Sequence, residues 1–146
     1  MKQDKVLLVI VLYKEQLFST LTWKTLLADY SQSDRVSLYV HDNSPSPQNV
    51  STPWCVCYHH DARNGGLSAA YNQAARFARV QGYDWMLLLD QDTTFPAGAL
   101  EALTSSASTL SEIEESADML PRPFLVALSR RSRGASLSQT TCRTKH

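Results

Sequence analysis

Residues 87–95 read LLLDQDTTF, an apolar run that ends in two carboxylates one residue apart. The run from Tyr83 to Leu89 is typical of a β-strand that is covered on both faces. Alternate residues of an extended segment point the same way, so Asp90 and Asp92 can direct their carboxylates at one point beyond the strand. Two such oxygen ligands suit Mg²⁺ or Mn²⁺, which also binds water and phosphate oxygens. The alternative is a solvated strand end with an aspartate that caps the next helix.

Strands and helices alternate along the rest of the chain. Apolar runs predict strands, and apolar residues at helical spacing predict helices. The predicted strands are Val6–Leu12, Val36–Val40, Trp54–Tyr58 and Tyr83–Leu89. The predicted helices run from Glu15 to Tyr30, from the glycine turn at Gly66 to near Gly82, and from about Ala97 to Leu110. We therefore expect a three-layer α/β sandwich in which the strands near residues 5–12, 35–41 and 84–90 are adjacent in a mainly parallel sheet.

Length and charge exclude several classes of protein. A chain of 146 residues has the size of one domain. Its 14 basic and 14 acidic residues cancel, so no broad field attracts nucleic acid, and we expect no nucleic-acid partner. The longest apolar run, Val6–Tyr13, is too short to cross a membrane and lacks a cleavage site behind it, which predicts a cytoplasmic location.

The cysteines follow no recognised framework. Cys55, Cys57 and Cys142 are odd in number, so we expect reduced, unpaired thiols. His59 and His60 could join the first two cysteines around a metal, but this cluster fits no standard spacing and solvated histidines are the simpler interpretation.

The last residues differ in composition from the rest. Ser129–His146 contains Leu137 as almost its only large apolar residue, and no Asp or Glu follows Pro121. Such a segment buries too little surface to offset its ordering entropy. We expect a folded domain over residues 1–128 and a polar, disordered tail over residues 129–146.

Polar residues follow each predicted strand, where ligands bind in parallel α/β sheets. Asp42 can accept hydrogen bonds from a pyrimidine base or a ribose, or it can form an Asx turn before Pro45. The turn at Asn64-Gly65-Gly66 can bring backbone N–H groups close to an anion, or it can simply require positive φ. The other residues at these positions are Tyr13, Lys14, Asn43, Ser44, Arg63 and Gln91.

Four segments, taken in order, resemble the N-terminal half of family-2 glycosyltransferases with the GT-A fold, and most closely the rhamnosyltransferase-like branch. They read VLLVIVLYK, LYVHDNS, RNGGLSAAYNQAARFA and YDWMLLLDQDTTF. The most specific parts are the N-x-G-x-x-x-x-x-N stretch from Asn64 to Asn72 and the D-x-D at Asp90 and Asp92. The resemblance implies a GT-A-like, Rossmann-like domain that binds a nucleotide sugar.

The resemblance also implies roles for particular residues. Val11 and Tyr13 would line the base pocket, and Asp42 would recognise the base. Asp90 would face the ribose and the metal, and Asp92 would ligate Mg²⁺ or Mn²⁺ against the diphosphate of a UDP- or dTDP-sugar. The residues implied to bind the nucleotide sugar are Val11, Tyr13, Asp42, Asn64, Gly66, Asn72 and Asp90.

The implied reaction is an inverting transfer of a sugar, with rhamnose as a candidate, to a saccharide or lipid-linked acceptor in cell-wall polysaccharide synthesis. Peripheral association with a membrane is compatible with such an acceptor. Family members continue well past the D-x-D to supply the acceptor site and the catalytic base, which we therefore leave unassigned. We expect an apparently truncated donor-binding half, with a truncation or shifted reading frame near Ser129. The alternative is a non-catalytic nucleotide-sugar-binding fragment.

A different enzyme class shares part of the motif. DQDTT also fits the D-x-D-x-T nucleophile motif of haloacid-dehalogenase-like phosphatases. Those enzymes need a downstream lysine and a further acidic pair, and Lys145 is the only lysine after the motif. Their motif also follows the first strand rather than the fourth, so this alternative is the weaker one.

Overall fold

A mainly parallel sheet forms the centre of the fold. The computed structural model describes residues 4–28, 30 and 34–105, and the backbone of residues 127–128. The strands are β1 (Val6–Leu12), β2 (Val36–Asp42), β3 (Cys55–His60), β4 (Trp85–Leu89) and β5 (Ala127–Leu128). Their order is β3-β2-β1-β4-β5, with β1 to β4 parallel and β5 antiparallel to β4. The predicted α/β class and the adjacency of β2, β1 and β4 are confirmed.

The central strand β1 is buried along its whole length because both faces of the sheet are covered. Val6, Leu8, Ile10 and Leu12 belong to one apolar cluster, which also contains Leu17, Leu26, Leu27 and Trp54. Leu7 and Val9 belong to a second cluster on the opposite face, with Ala74, Phe77 and Ala78 of the long helix. Two clusters on alternate residues of one strand are the signature of three layers.

The long helix α1 (Gly66–Gln81) covers the second face of the sheet. It ends at Gly82, whose φ of 75° is left-handed. The Gly82 N–H donates to the carbonyls of Ala78 and Arg79, and the Tyr83 N–H donates to Ala78 at 2.9 Å. The predicted end of this helix near Gly82 is confirmed. Glycine suits this position because it adopts a left-handed φ without strain.

The helix predicted from Glu15 to Tyr30 is wrong over its first part. A 3-10 turn at Leu17–Ser19 is followed by a separate helical segment that includes a π-helix at Trp23–Leu27. The side chain of Thr20 separates the two, because its hydroxyl donates to Leu17 O at 2.7 Å and accepts from Trp23 N–H at 3.0 Å. Apolar spacing alone could not reveal this local side-chain cap.

The remaining sequence predictions have mixed outcomes. The third strand runs two residues further than predicted, to His60, and the last predicted helix begins at residue 99 and is helical through residue 105. Residues 106–110 and the predicted tail, 129–146, lie outside the described residues. No helix in the described ranges is long and apolar enough to span a membrane.

The expectation of unpaired cysteines holds for Cys55 and is wrong for Cys57. Cys55 is a free thiol, and burial raises its pKa to about 11. Cys57 is disulfide-bonded, and Cys142 lies outside the described residues. Sequence spacing misses such a bond because disulfide pairing depends on distances in the folded chain.

Candidate functional site

The candidate site is a cleft at the carboxyl edge of the sheet, where β4 stops short of β1. The last pair between these strands is Ile10 with Leu89, whereas β1 continues to pair with β2 as far as Leu12 and Asp42. This two-residue step leaves Val11 beside the cleft. The cleft has a volume of about 290 Å³, and its lining residues are Val11, Tyr13, Asn43, Asn64, Gly66, Leu67, Asp90, Gln91 and Asp92.

The cleft brings together most of the residues predicted to bind a nucleotide sugar and a metal. Those that line it are Val11, Tyr13, Asn64, Gly66, Asp90 and Asp92. Asp42 and Asn72 do not line it. Asn72 is exposed on α1, six residues after its start at Gly66.

Asp42 lies behind the cleft and is 0% exposed. The Ser44 N–H donates to its Oδ1 at 3.0 Å, which is the Asx turn that the sequence left open. Gln48 Nε2 donates to its Oδ2 at 3.2 Å, and the Tyr58 hydroxyl donates to the same oxygen at 2.6 Å. Burial, followed by this hydrogen bond to Asp42, raises the pKa of Tyr58. Both oxygens of Asp42 are therefore engaged in shaping the loop after β2.

Asn43 is a lining residue that the sequence analysis placed after the second strand without assigning it a role. Its side chain is 3% exposed, and its Oδ1 lies 3.1 Å from Nε2 of the buried His41. Since an amide oxygen can only accept, Nε2 of His41 carries the hydrogen. The other ring nitrogen, Nδ1, has no hydrogen-bond partner within the described residues. Burial, followed by the nearby His59, lowers the pKa of His41, which favours the neutral imidazole.

Gln91 is the second lining residue that the sequence analysis named after a strand without assigning it a role. Its Oε1 accepts from the Tyr13 N–H at 2.9 Å, and its Nε2 donates to the Tyr13 carbonyl at 3.3 Å. The phenol ring of Tyr13 stays 44% exposed at the cleft. The sequence around Gln91 does not indicate this contact with Tyr13. The contact depends on the position of β1, which is far from Gln91 in the sequence. Leu67, at the start of α1, was likewise given no role.

The backbone of the acidic segment is held by the threonines of the π-helical region. The Thr22 hydroxyl donates to the Asp90 carbonyl, and the Thr22 N–H donates to the Gln91 carbonyl at 3.3 Å. Further along, the Phe95 N–H donates to the Thr25 hydroxyl at 3.0 Å. π-Helical turns of this kind often occur at functional sites.

The carboxylates of Asp90 and Asp92 are exposed at the cleft. Within the described part of the chain, neither side chain forms a hydrogen bond or an ion pair with the protein. Burial, and then the charge of Asp90, raise the pKa of the nearby Tyr71. Both carboxylates are therefore available to a ligand.

Asp90 and Asp92 are the residues of the cleft lining that could hold a hard divalent cation. Residues 4–28, 30 and 34–105 contain no group of three or more His, Cys, Asp or Glu side chains that could hold a metal. Mg²⁺ commonly takes one or two carboxylates and fills its octahedron with water and phosphate oxygens. Asp90 and Asp92 match that partial set of ligands. The other metal site that the sequence suggested, between His59, His60 and the first two cysteines, is not present in these ranges.

The loop before α1 forms the opposite wall of the cleft. Asn64 and Gly66 have φ values of 49° and 86°, so the positive-φ turn that the sequence allowed is present. The Asp61 carboxylate accepts from the N–H groups of Arg63 and Gly65 at 3.1 and 3.3 Å and fixes the loop. No side chain caps α1 at Gly65, and its first turn contains no acidic residue. The N–H groups at this helix end are therefore compatible with an anion.

Comparison with known proteins gives one match. The family model described as Glycosyl transferase family 2 matches residues 8–113, which include every residue that lines the cleft. No curated protein and no solved structure matched the chain. The matched region includes the D-x-D-x-T sequence, so the phosphatase alternative gains no support.

Proposed function

The chain belongs to glycosyl transferase family 2, and we propose that its cleft binds the nucleotide-diphosphate part of a UDP- or dTDP-sugar. Glycosyltransferases of the family use a nucleotide-sugar donor and an acceptor. The observation that carries the proposal is the cleft itself, which collects the ends of β1, β2 and β4 and the start of α1. Ligands of open α/β sheets bind at this edge.

Tyr13, Val11 and Asn43 would form the nucleoside end of the cleft. The exposed Tyr13 ring offers a face on which a base can stack, and Val11 offers an apolar floor. Asn43 offers an amide, whose oxygen is already oriented by His41. Asp42 would act on this end by fixing the Ser44 turn, because its carboxylate is fully buried and does not line the cleft.

Asp90 and Asp92 would form the diphosphate end, with Mg²⁺ or Mn²⁺ between them and the phosphates. The cation would stabilise the negative charge that develops on the leaving nucleoside diphosphate. Without it, two carboxylates would repel the diphosphate. The uncapped start of α1 at Gly66 and Leu67 would face the same group from the other wall.

For the reaction, we propose inverting transfer of the sugar, with rhamnose as a candidate, to a hydroxyl of a saccharide or lipid-linked acceptor. A second candidate is binding without transfer. It is favoured by the lining of the cleft among the described residues, in which the acidic residues Asp90 and Asp92 are both assigned to the cation and neither to a catalytic base.

The test is calorimetric titration of the protein with UDP and with dTDP, in Mn²⁺ and in excess chelator. We expect binding in Mn²⁺ and loss of most of the affinity with chelator. Equal affinity in both conditions would contradict the metal site, and no binding in either would contradict the donor site. Release of UDP from UDP-sugars in the presence of saccharide acceptors then separates an active enzyme from a binding fragment.

A further inference from the structure

We propose that Gln91, the residue between the two aspartates, is a positioning residue that fixes Tyr13 as the wall of the nucleoside end. The inference rests on the proposed function of the cleft. The Tyr13 N–H donates to Gln91 Oε1 at 2.9 Å, and Gln91 Nε2 donates to the Tyr13 carbonyl at 3.3 Å. One side-chain amide thereby satisfies both backbone groups of one residue.

The backbone of Tyr13 needs such a partner because it lies beyond the end of β1. Strand pairing with β4 ends at Ile10 and Leu89, three residues before Tyr13. Lys14 then turns the chain with a φ of 54°. The side-chain amide of Gln91 forms the two hydrogen bonds with the Tyr13 backbone that a longer β4 would otherwise form. The orientation of the amide is fixed by its partners, since an N–H must face Oε1 and a carbonyl must face Nε2.

Gln91 is itself held in place from the other side. Its carbonyl accepts from the Thr22 N–H at 3.3 Å, and the adjoining Asp90 carbonyl accepts from the Thr22 hydroxyl. The segment that carries the carboxylates and the residue that carries the aromatic ring are thus joined through one side chain. The contact with Gln91 uses only the backbone of Tyr13. The ring lies at the cleft, where the Nζ of Lys14 is 5.1 Å from its centroid.

The proposal predicts which part of the ligand depends on Gln91. Removal of the amide should weaken contacts with the nucleoside and leave the contacts of the metal with the diphosphate unchanged. Pyrophosphate is the probe for the diphosphate end, and UDP is the probe for both ends. Gln91→Met keeps the length of the side chain and removes both hydrogen bonds. Gln91→Glu keeps the acceptor and replaces the donor by an oxygen that repels the Tyr13 carbonyl.

The experiment is titration of UDP and of pyrophosphate in Mn²⁺ with the wild-type protein, Gln91→Met, Gln91→Glu, Tyr13→Ala and the double variant Tyr13→Ala with Gln91→Met. We expect Gln91→Met to weaken UDP binding about tenfold, as loss of two neutral hydrogen bonds implies, and to leave pyrophosphate binding unchanged. Gln91→Glu should also weaken UDP binding, but its added charge beside Asp90 and Asp92 changes pyrophosphate binding as well, so Gln91→Met is the variant that separates the two ends of the cleft. The double variant should bind UDP no more weakly than Tyr13→Ala, because both changes act through one ring.

Amide hydrogen exchange provides a readout that needs no ligand. The Tyr13 N–H should exchange faster in Gln91→Met than in the wild-type protein, while amides inside β1 keep their protection. Unchanged UDP affinity, or an equal loss for UDP and pyrophosphate, in Gln91→Met would overturn the positioning role. Absence of Mn²⁺-dependent binding of either ligand to the wild-type protein would overturn the proposed function, and this inference with it.

Discussion

The hydroxyl of Thr22 donates a hydrogen bond to the backbone carbonyl of Asp90, which lies 68 residues later in the chain. Thr22 is fully buried, and it contacts the segment a second time through the N–H that it donates to Gln91. The acidic segment is therefore held by its backbone. This arrangement positions Asp90 and Asp92 without using their carboxylate oxygens, which stay available to a ligand.

Thr22→Val should loosen that arrangement. The change is nearly isosteric, and it leaves the Asp90 carbonyl without its donor, which costs about 1 kcal/mol of unfolding free energy. We expect a matching decrease in denaturant stability and a several-fold weaker affinity for Mn²⁺ in the presence of UDP. Thr22→Ser keeps the hydroxyl and is the control. Equal Mn²⁺ affinity in the two variants would show that the hydrogen bond does not position the carboxylates.

Asp92→Asn should remove most of the metal dependence of nucleotide binding. Loss of one charged ligand should weaken UDP binding in Mn²⁺ about tenfold or more, since interactions with charged groups contribute about 1.5–3 kcal/mol. Glu101→Gln removes the same charge from an exposed residue outside the cleft and is the matched control. Calorimetry with and without chelator measures both. An Mn²⁺ effect that survives in Asp92→Asn would place the cation elsewhere.

Tyr58→Phe should destabilise the fold through the buried carboxylate of Asp42. The variant removes the donor at 2.6 Å from Oδ2 and leaves the Gln48 N–H, which donates to Tyr58 at 2.9 Å, without its acceptor. We expect a loss of about 2 kcal/mol of unfolding free energy, measured by urea denaturation. Tyr30→Phe, which removes a 3.3 Å contact with a neutral carbonyl, should cost less. Equal losses would show that the charge of Asp42 adds nothing to the contact.

Acidification should destabilise the protein through His41 and His59. Burial is the main cause that lowers the pKa of each ring, so the folded state binds a proton less readily than the unfolded state, whose histidine pKa is about 6.5. The stability is therefore present above pH 6.5 and is lost as the pH falls below it through the lowered values. The melting temperature should decrease between pH 7.5 and pH 5. His41→Phe replaces the imidazole by an aromatic ring that does not titrate, so the melting temperature should depend less on pH. An unchanged slope would exclude His41 as the source of the dependence.

Gly66→Ala should affect both stability and binding. Gly66 has a φ of 86°, and an added Cβ would meet no atom within 4 Å, so the cost is backbone strain of about 1–2 kcal/mol. Gly82, with a φ of 75° and the same open surroundings, is the matched control at the far end of α1. Thermal unfolding should show similar losses for the two alanine variants. UDP affinity in Mn²⁺ should fall in Gly66→Ala alone. An equal fall in Gly82→Ala would show that the loss of affinity follows from lower stability and not from the position of Gly66 at the cleft.

The sheet and the long helix were predictable because burial shapes their composition. β1 and β4 are apolar along nearly their whole length, as strands covered on both faces must be, and Gly82 marks a helix end that requires left-handed φ. The segment at Leu17–Leu27 was mispredicted as one helix because Thr20, a weak signal in sequence, caps a new turn with its hydroxyl. Apolar periodicity reports which side faces the core and not where a helix is interrupted.

Roles were assigned from the sequence to six of the nine residues that line the cleft, which are Val11, Tyr13, Asn64, Gly66, Asp90 and Asp92. Asp90 and Asp92 could be identified because charges directly after an apolar strand are unusual. The roles of Asn43 and Gln91 could not be predicted. Each role depends on a contact, with His41 and with Tyr13, that forms only in the folded sheet. The hydrogen bond from Tyr58 to Asp42 is a similar case, since it forms only when β2 and β3 pair in a register that places Tyr58 opposite Val40.

The two-residue step between β1 and β4 has a consequence for how this protein can change in evolution. Substitutions of the lining residues change what the cleft binds, but the step depends on the number of residues in each strand. One residue inserted into β4 would turn Leu87 and Leu89 from the first apolar cluster to the face of the second and disrupt the packing of both. Two residues inserted after Leu89 would preserve the faces and extend the pairing past Val11, which would fill the cleft. The lengths of β1 and β4 therefore determine whether the cleft exists, whatever residues line it.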